Sequence, residues 1–370
     1  MKGKRSPRVD WLILGTALAL CLVGVIFIAS ASWRVREASY ASFGRQQLIF
    51  IAVGMGFLLF MIRFPYLILA RFAFVFYAGG LGLLAAVLVI GKRIYGARRW
   101  IDLGPVNLQP SELMKIALIL ALARWLMFRE ERRRMKDLVV PLALMFVPML
   151  PILKQPDLGT AMTFVPIAFG MMYVAGARLR HLGMVALIGV LAFVPVWSLG
   201  LKEYQKDRVR TFVNPDRDPL GKGYQTIQSL LSVGSGGIAG RGMFKGTQNR
   251  LNLLPERHTD FIFAVIAEET GLWGTTALLI LYILLFVGIA LAALRTHEPF
   301  GRLVVTGVLI LFASQVFVNI GMTIRLMPVT GLTLPFVSYG GSSLVTSFCG
   351  LALVMAVQEQ QEPELSRNAY

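Results

Sequence analysis

The sequence predicts an all-α integral membrane protein of roughly ten transmembrane helices, with one long extracytoplasmic loop between helices 7 and 8. Three observations carry that reading. The chain has 370 residues, of which 56% are hydrophobic and 15% charged, and its mean hydropathy is +0.66. Its apolar residues come in continuous runs of about 20, the length that crosses a ~30 Å hydrocarbon layer at ~1.5 Å per residue. Those runs do not alternate in polarity, which excludes a closed β-barrel.

Candidate spans fall at 11–31, 46–62, 66–90, 111–128, 138–153, 158–176, 181–200, 272–294, 303–324 and 335–357. The first follows the basic run KGKRSPR and ends in Ala29-Ser30-Ala31, which imitates a cleavable signal peptide. Its apolar part is too long for one and many spans follow, so it reads as an uncleaved helix. The fifth is short and holds Pro141, Pro148 and Pro151, which predicts a kink. With the N-terminus inside, fifteen basic residues fall in inner short segments and nine in outer ones, placing both termini in the cytoplasm. The net charge of +17 then reads as juxtamembrane charge rather than a nucleic-acid footprint. Cys21 and Cys349 lie inside spans, and His181, His258 and His297 are scattered. They suggest neither a disulfide framework nor structural zinc. The whole chain is taken as a single multi-pass membrane domain.

The connection 201–260 stands apart. It holds ten basic residues against six acidic ones, a balance that suits an anionic ligand and equally a solvated loop beside lipid headgroups. Within it, YQTIQSLLSVG has the pattern of a short amphipathic helix lying on the membrane surface. The run GSGGIAGRGMFKGT (234–247) is neither a Walker loop nor a dinucleotide fingerprint. It reads as a backbone nest for an anion or as a flexible turn.

Four outer segments end in polar residues where helices would begin. They are QPSELMK (109–115), with Ser111 as N-cap, QPDLGT (155–160), with Asp157, HTDFIF (258–263) and PFVSYGGSS (335–343). Helix N-termini favour phosphate, but every helix that starts outside also needs a cap. Glu112 and Lys115 are charges in the first turn of a span, so they either snorkel outward or face a polar cavity. In LLPERHTDFIFAVIAEETG, Asp260 is eight residues before Glu268, ~12 Å along a helix, too far for a glycosidase-type carboxylate pair. Residues 261–267 read as a short helix dipping into the outer leaflet or the bundle, with Gly271 as hinge. Asp260 is left at a water–lipid boundary, as a base or as an N-cap.

LPERHTDFIFAVIAEETG, QPSELMK, KQPDLGT, DPLGKGYQ and MPVTGLTLPFVSYGGSS together resemble the SEDS (shape, elongation, division and sporulation) family of bacterial cell-wall polymerases. The likeness covers about 11–357, and GTQ followed by LPERHTDF is similar to the rod-shape branch rather than the division branch. One departure is Arg325, where a small residue such as Gly is expected; it bears on the outer end of the ninth span.

The resemblance implies a peptidoglycan glycosyltransferase that polymerises lipid II at the outer face of the bacterial cytoplasmic membrane. A class B penicillin-binding protein and other elongation-machinery proteins would be its partners, beside membrane lipids and without nucleic acid. It places the essential aspartate at Asp260. The implied substrate-binding set is Arg45, Trp100, Glu112, Lys115, Asp157, Arg208, Arg210, Arg257, His258 and Ser338. It leaves room for a divalent cation (Mg or Mn) held by substrate phosphates. A free Asp titrates near ~3.9 and is a weak base, so partial burial is expected to raise Asp260, with Lys115 or Arg257 keeping it ionised. A flippase of lipid-linked precursors and a recruiting scaffold are the rival readings. Ionisable groups gathered at the outer ends of spans favour outer-face chemistry.

Overall fold

The structure, a computed structural model, describes residues 10–32, 41–94, 97–102, 104, 107–128, 135–195, 203–214, 223–251 and 253–365. The KGKRSPR run, the basic cluster at 129–134, the end of the predicted span 181–200 and residues 218–222 of DPLGKGYQ lie outside the described residues.

Helices α1 (Trp11–Ser32), α2 (Ala41–Arg63) and α3 (Leu67–Ile90) come first. A small antiparallel sheet follows, with strands β1 (Lys92–Ile94), β2 (Ala97–Asp102) and β3 (Asn107–Leu108) in the order β1-β2-β3. Next are α4 (Pro110–Leu126), α5 (Val139–Lys154), α6 (Leu158–Val174) and α7 (Leu179–Pro195). The long connection contributes α8 (Glu203–Val213), α9 (Tyr224–Gly236) and the one-turn α10 (Thr247–Arg250). The chain ends with α11 (Ile262–Arg295), α12 (Pro299–Thr323) and α13 (Gly341–Leu365).

Among the described residues, seven helical segments are long and apolar enough to cross a membrane: α1, α2, α3, α11, α12, α13, and α5 taken together with the 3-10 turn Met135–Leu138 before it. Helices α4, α6 and α7, of 17 residues each, stand at the other predicted positions. Pro148 and Pro151 lie inside α5. Burial sorts the helices. Helix α4 is almost wholly enclosed and packs on α3, α6, α12 and α13, with Met114, Leu118 and Leu122 fully buried. Helix α7 is its opposite, with Leu187, Val190 and Leu191 exposed, as an apolar helix facing lipid must be. The sheet between α3 and α4 has no counterpart in the sequence reading; Gly96 after the KRI run and the Gly104-Pro105 pair were its turn signals.

Helix α11 is two helices joined at Gly271, which has φ 64° and ψ −154°, a conformation open essentially to glycine alone. The break frees backbone groups that lipid could not satisfy. The glycine-rich run supplies their partners. Arg241 N donates to Glu268 O at 3.0 Å and Gly242 N to Glu269 O at 2.9 Å. From the other arm, Leu272 N donates to Gly237 O at 3.0 Å and Trp273 N to Ile238 O at 3.3 Å. Only glycine permits this approach: a Cβ on Gly240, itself at φ 75°, would lie 2.2 Å from Glu269 O. The run is thus a strap over a broken helix, rather than an anion nest or a slack turn.

Helix α9 forms where YQTIQSLLSVG predicts it, but with its faces reversed. Thr226, Ser229, Ser232 and Gly236 are buried, while Leu230 and Leu231 are exposed. It packs on α11 and α12, with Ser229 Oγ donating to Thr323 O at 2.8 Å, rather than lying free on a surface. Small and hydroxylated residues allow close backbone approach and satisfy each other there, which an apolar face would not.

Arg325 ends α12 in the left-handed region, at φ 61°. Leu326 N donates to Gly321 O at 2.7 Å and Arg325 N to Met322 O at 3.4 Å, the paired bonds of a Schellman cap. The expectation of a small residue at this position is therefore a backbone requirement. Arg325→Gly should raise the apparent melting temperature in detergent, because it removes a left-handed penalty of ~1 kcal/mol. Gly271→Ala should lower it sharply. Thermal unfolding of the purified variants checks both; an Arg325→Gly protein that melts with or below the wild type would dismiss the cap argument.

Candidate active site

Asp260 closes a tight turn built on one carbonyl. Glu256, at φ 49°, accepts at its O from Thr259 N (3.2 Å), Asp260 N (3.1 Å) and Phe261 N (3.3 Å). The next residue, Phe261, caps α11 without a side-chain bond, so Asp260 is not the N-cap. Phe261 is buried with Leu254 and Ala264 in a small apolar cluster that Val233 and Val329 flank. That cluster ties the turn to α9 and to the segment after α12. Asp260 itself is half-buried. Its main-chain O accepts from Asn319 Nδ2 at 2.9 Å. Its Oδ2 lies where a Cβ on Gly331, at φ 73°, would meet it at 3.2 Å.

The residues before Asp260 are held by rings. His258 stacks on Phe43 of α2, with centroids 4.8 Å apart and planes 14° from parallel, and Tyr339 leans on Phe43 at 4.7 Å. Tyr339 N donates to His258 O at 2.9 Å, and the Tyr339 hydroxyl reaches Gln46. Ser338, predicted at the start of the last span, precedes α13 in a turn of its own. Its Oγ accepts from Leu334 N at 2.8 Å and its carbonyl from Gln47 Nε2 at 3.3 Å.

A second group gathers at the N-termini of α4 and α6. Asp157 caps α6, accepting from Thr160 N at 3.2 Å and Thr160 Oγ1 at 3.0 Å. Gln109 Nε2 donates to Asp157 Oδ2, the oxygen that also accepts from Thr160 Oγ1, at 3.2 Å, while Gln109 N donates to Ser342 Oγ at 3.1 Å. Gln109 thereby bridges the starts of α4, α6 and α13. Arg99 from β2 donates through Nε to Gln155 O at 2.9 Å and to Pro156 O, with Nη1 3.9 Å from Asp157. Gln109, not Ser111, is the N-cap of α4, because Pro110 takes the first helical position. Ser111 is buried one residue inside the helix. Below it Glu112 and Lys115 are a buried ion pair at 2.7 Å, with the Lys115 side chain fully enclosed. Neither side chain snorkels.

The segment 329–332 joins the two groups. Gly331 faces the Asp260 carboxylate, and Thr330 lies so close to Gly159 of α6 that a Cβ there would meet Thr330 O at 2.4 Å. Asp260 thus meets this segment at Gly331, and the start of α6, which Asp157 caps, meets it at Thr330. The remaining predicted residues are less central. Arg45 is exposed on α2, and Trp100 is half-buried on β2 opposite Lys92. Arg257 is buried with its Nε donating to Ala31 O at 2.8 Å. Arg210 is exposed on α8 and pairs with Asp207 at 3.2 Å, while the Arg208 side chain lies outside the described residues. Arg99, Gln109, Asn319 and Gly331 were not singled out from the sequence. Asn319 carried a signal, as one of two amides, with Gln315, in an apolar span.

The arrangement offers a half-buried carboxylate at a helix start, facing a segment that also meets the N-terminus of α6. That suits proton removal from an alcohol beside a departing anion. Among the described residues, no three His, Cys, Asp or Glu side chains come together to hold a metal.

Comparison with known proteins settles the lineage. The cell cycle protein family of FtsW, RodA and SpoVE matches residues 10–363. The chain belongs to this family. Peptidoglycan glycosyltransferase MrdB of Escherichia coli K12 is 39% identical over 356 residues, covering 96% of this chain and 95% of MrdB. A chain from a peptidoglycan synthase complex, described as coordinating polymerization and crosslinking, superposes with TM-score 0.82 at 36% identity, over 96% of this chain and 99% of that one. The rod shape determining protein RodA of Thermus thermophilus, solved as an aspartate-to-alanine mutant, has TM-score 0.71 at 32% identity, over 95% and 97% of the two chains. This chain is thus a multi-pass membrane protein of the FtsW, RodA and SpoVE type.

His258 yields a pH test. Burial, reinforced by the neighbouring Arg257 and opposed by Glu256, holds its imidazole below the usual value of about 6.5. The folded protein therefore favours the neutral ring. Its stabilisation is complete above pH ~6.5 and is lost as pH falls from there through the depressed folded value. The melting temperature should drop on acidification from pH 7.5 to 5.5, and by less in His258→Phe, which keeps a ring against Phe43. Parallel melting curves for the two proteins across that range would refute the assignment.

Proposed function

We propose that this chain is a peptidoglycan glycosyltransferase that polymerises lipid II at the outer face of the bacterial cytoplasmic membrane. Both termini lie in the cytoplasm, the chain forms one membrane domain of ten spans, and a class B penicillin-binding protein crosslinks its product. Asp260 is the general base. It takes the proton from the acceptor sugar hydroxyl as that oxygen bonds to the anomeric carbon of the donor. The donor's bond to its polyprenyl diphosphate breaks with the electron pair leaving on the diphosphate. Such a leaving group departs once its charge is neutralised, so no second, acidic carboxyl is needed, unlike in glycoside hydrolysis. Lys115 and the N-termini of α4 and α6 favour that charge, and Asp157 and Glu112 hold those elements in place. Arg45, Arg208 and Arg210 offer further positive charge toward the diphosphate, while Trp100, Arg257, His258 and Ser338 shape the surrounding walls. With no cluster of metal ligands among the described residues, a divalent cation would travel on the substrate's phosphates.

The observation that carries this reading is the placement of Asp260. It is half-buried at the start of the short arm 262–270, and its carboxylate faces Gly331 on the segment shared with the α6 N-terminus. Its tie to Asn319 runs through the main-chain carbonyl, so Asp260→Asn leaves that tie intact and changes only the acid. The Asn variant should polymerise purified lipid II at least ~10²-fold more slowly than the wild type, by gel analysis of glycan chains. A normal rate would remove Asp260 from the chemistry. Labelled lipid II crossing vesicle membranes with no polymer formed would favour the flippase instead.

A further inference from the structure

We propose that Asn319 is a positioning residue for Asp260, an inference that rests on the reading of Asp260 as the base. Asn319 sits one turn from the end of α12 and is fully buried. Its Nδ2 makes two bonds, to Asp260 O at 2.9 Å and to Leu332 O at 2.6 Å. One amide group thereby fixes two backbones against each other, the turn that carries the base and the segment that faces it. Gly331 lies between those attachment points. Having no side chain, it leaves the space that Asp260 Oδ2 occupies, with 3.2 Å to where a Cβ would stand.

The amide comes at a cost that packing alone would not retain. Asn319 Oδ1 has no hydrogen-bond partner among the described residues, and a buried unsatisfied acceptor is unfavourable. A leucine would fill the site without that penalty, but it could hold neither carbonyl. Asn319 is in turn anchored from outside. Ser229 Oγ of α9 donates to Thr323 O at 2.8 Å, and Thr323 Oγ1 donates to Asn319 O at 2.8 Å. Ser229, Thr323 and Asn319 are all fully buried, so a shielded relay runs from the long outer connection to the main chain of Asp260. An aspartate side chain has only two torsions. Fixing its backbone therefore fixes most of the path from carboxylate to acceptor hydroxyl.

The test uses the full-length purified chain with lipid II, measuring kcat and KM for polymerisation, lipid II affinity and melting temperature. Asn319→Asp keeps the shape and removes the donor. We expect kcat to fall by about 10²-fold, the cost of a misplacement near 1 Å, with KM and lipid II affinity within about threefold of wild type. Asn319→Ser is a second variant, because its shorter side chain takes the donor away from both carbonyls without adding a charge. It should show the same loss in kcat alone, and it decides the matter where Asn319→Asp does not fold. Wild-type kcat in either folded variant overturns the proposal, as does a parallel loss of rate, affinity and melting temperature. If Asp260→Asn polymerises normally, the base assignment and this inference fall together. If Asp260→Asn is inactive and both Asn319 variants are normal, only this inference falls.

Discussion

A backbone that enters hydrocarbon must satisfy its own hydrogen bonds, and in this fold that constraint bites hardest at Gly271. Breaking α11 there leaves carbonyls on one arm and N–H groups on the other without helical partners. The segment 237–242 answers both sets at once, through backbone bonds from Arg241 and Gly242 and to Gly237 and Ile238. Only then can the arm 262–270 stand as a separate short helix, and only because it is short does Asp260 fall at its head. The same strap presses α9 onto α11 and α12, which lets Ser229 reach Thr323. The position of the carboxylate thus follows from the repair of a broken helix.

The charged groups obey a related rule. Inside the bundle an ionised side chain survives only with a partner, and removing one member of such a pair typically costs ~3–5 kcal/mol. Lys115 is fully enclosed yet only 2.7 Å from Glu112, so the pair carries a fixed positive centre into the bundle without a net buried charge. Asp157 is likewise enclosed by a helix N-terminus, Gln109 and Arg99. Each of these groups is held by partners within the fold, and groups fixed in that way stabilise a developing charge at little reorganisation cost.

Much of this was legible in the sequence, because hydrophobic run length and backbone-breaking residues act locally. Every predicted span position holds a helix, the chain breaks from helical geometry at Gly271, and Asp157 is a cap. Gln109 displaced Ser111 as the cap of α4 because Pro110 claims the first turn, a choice that the tripeptide QPS already contained. The packing of α9 was not legible because a stripe of Thr, Ser and Gly looks solvated in isolation and is instead a close-packing surface. Asn319, Gly331 and Gln109 were missed for a deeper reason. Their roles are defined by partners 59, 71 and 48 residues away, at Asp260 and Asp157, and no local pattern encodes those distances.

The four acids between Glu256 and Glu269 show how function separates from scaffold within one stretch. Glu268 is buried and its Oε1 accepts from Thr247 N at 2.5 Å and Gln248 N at 3.0 Å, so it fastens the end of the strap. Glu269 is buried and accepts from Ser30 Oγ at 2.5 Å, fastening the arm to α1. Glu256 lends its main-chain carbonyl to the turn and takes the Thr259 hydroxyl at 3.3 Å. Asp260 is tied to α12 through its main-chain carbonyl, which accepts from Asn319 Nδ2 at 2.9 Å. That tie does not pass through the carboxyl group, so it persists whether the carboxyl holds a proton or not.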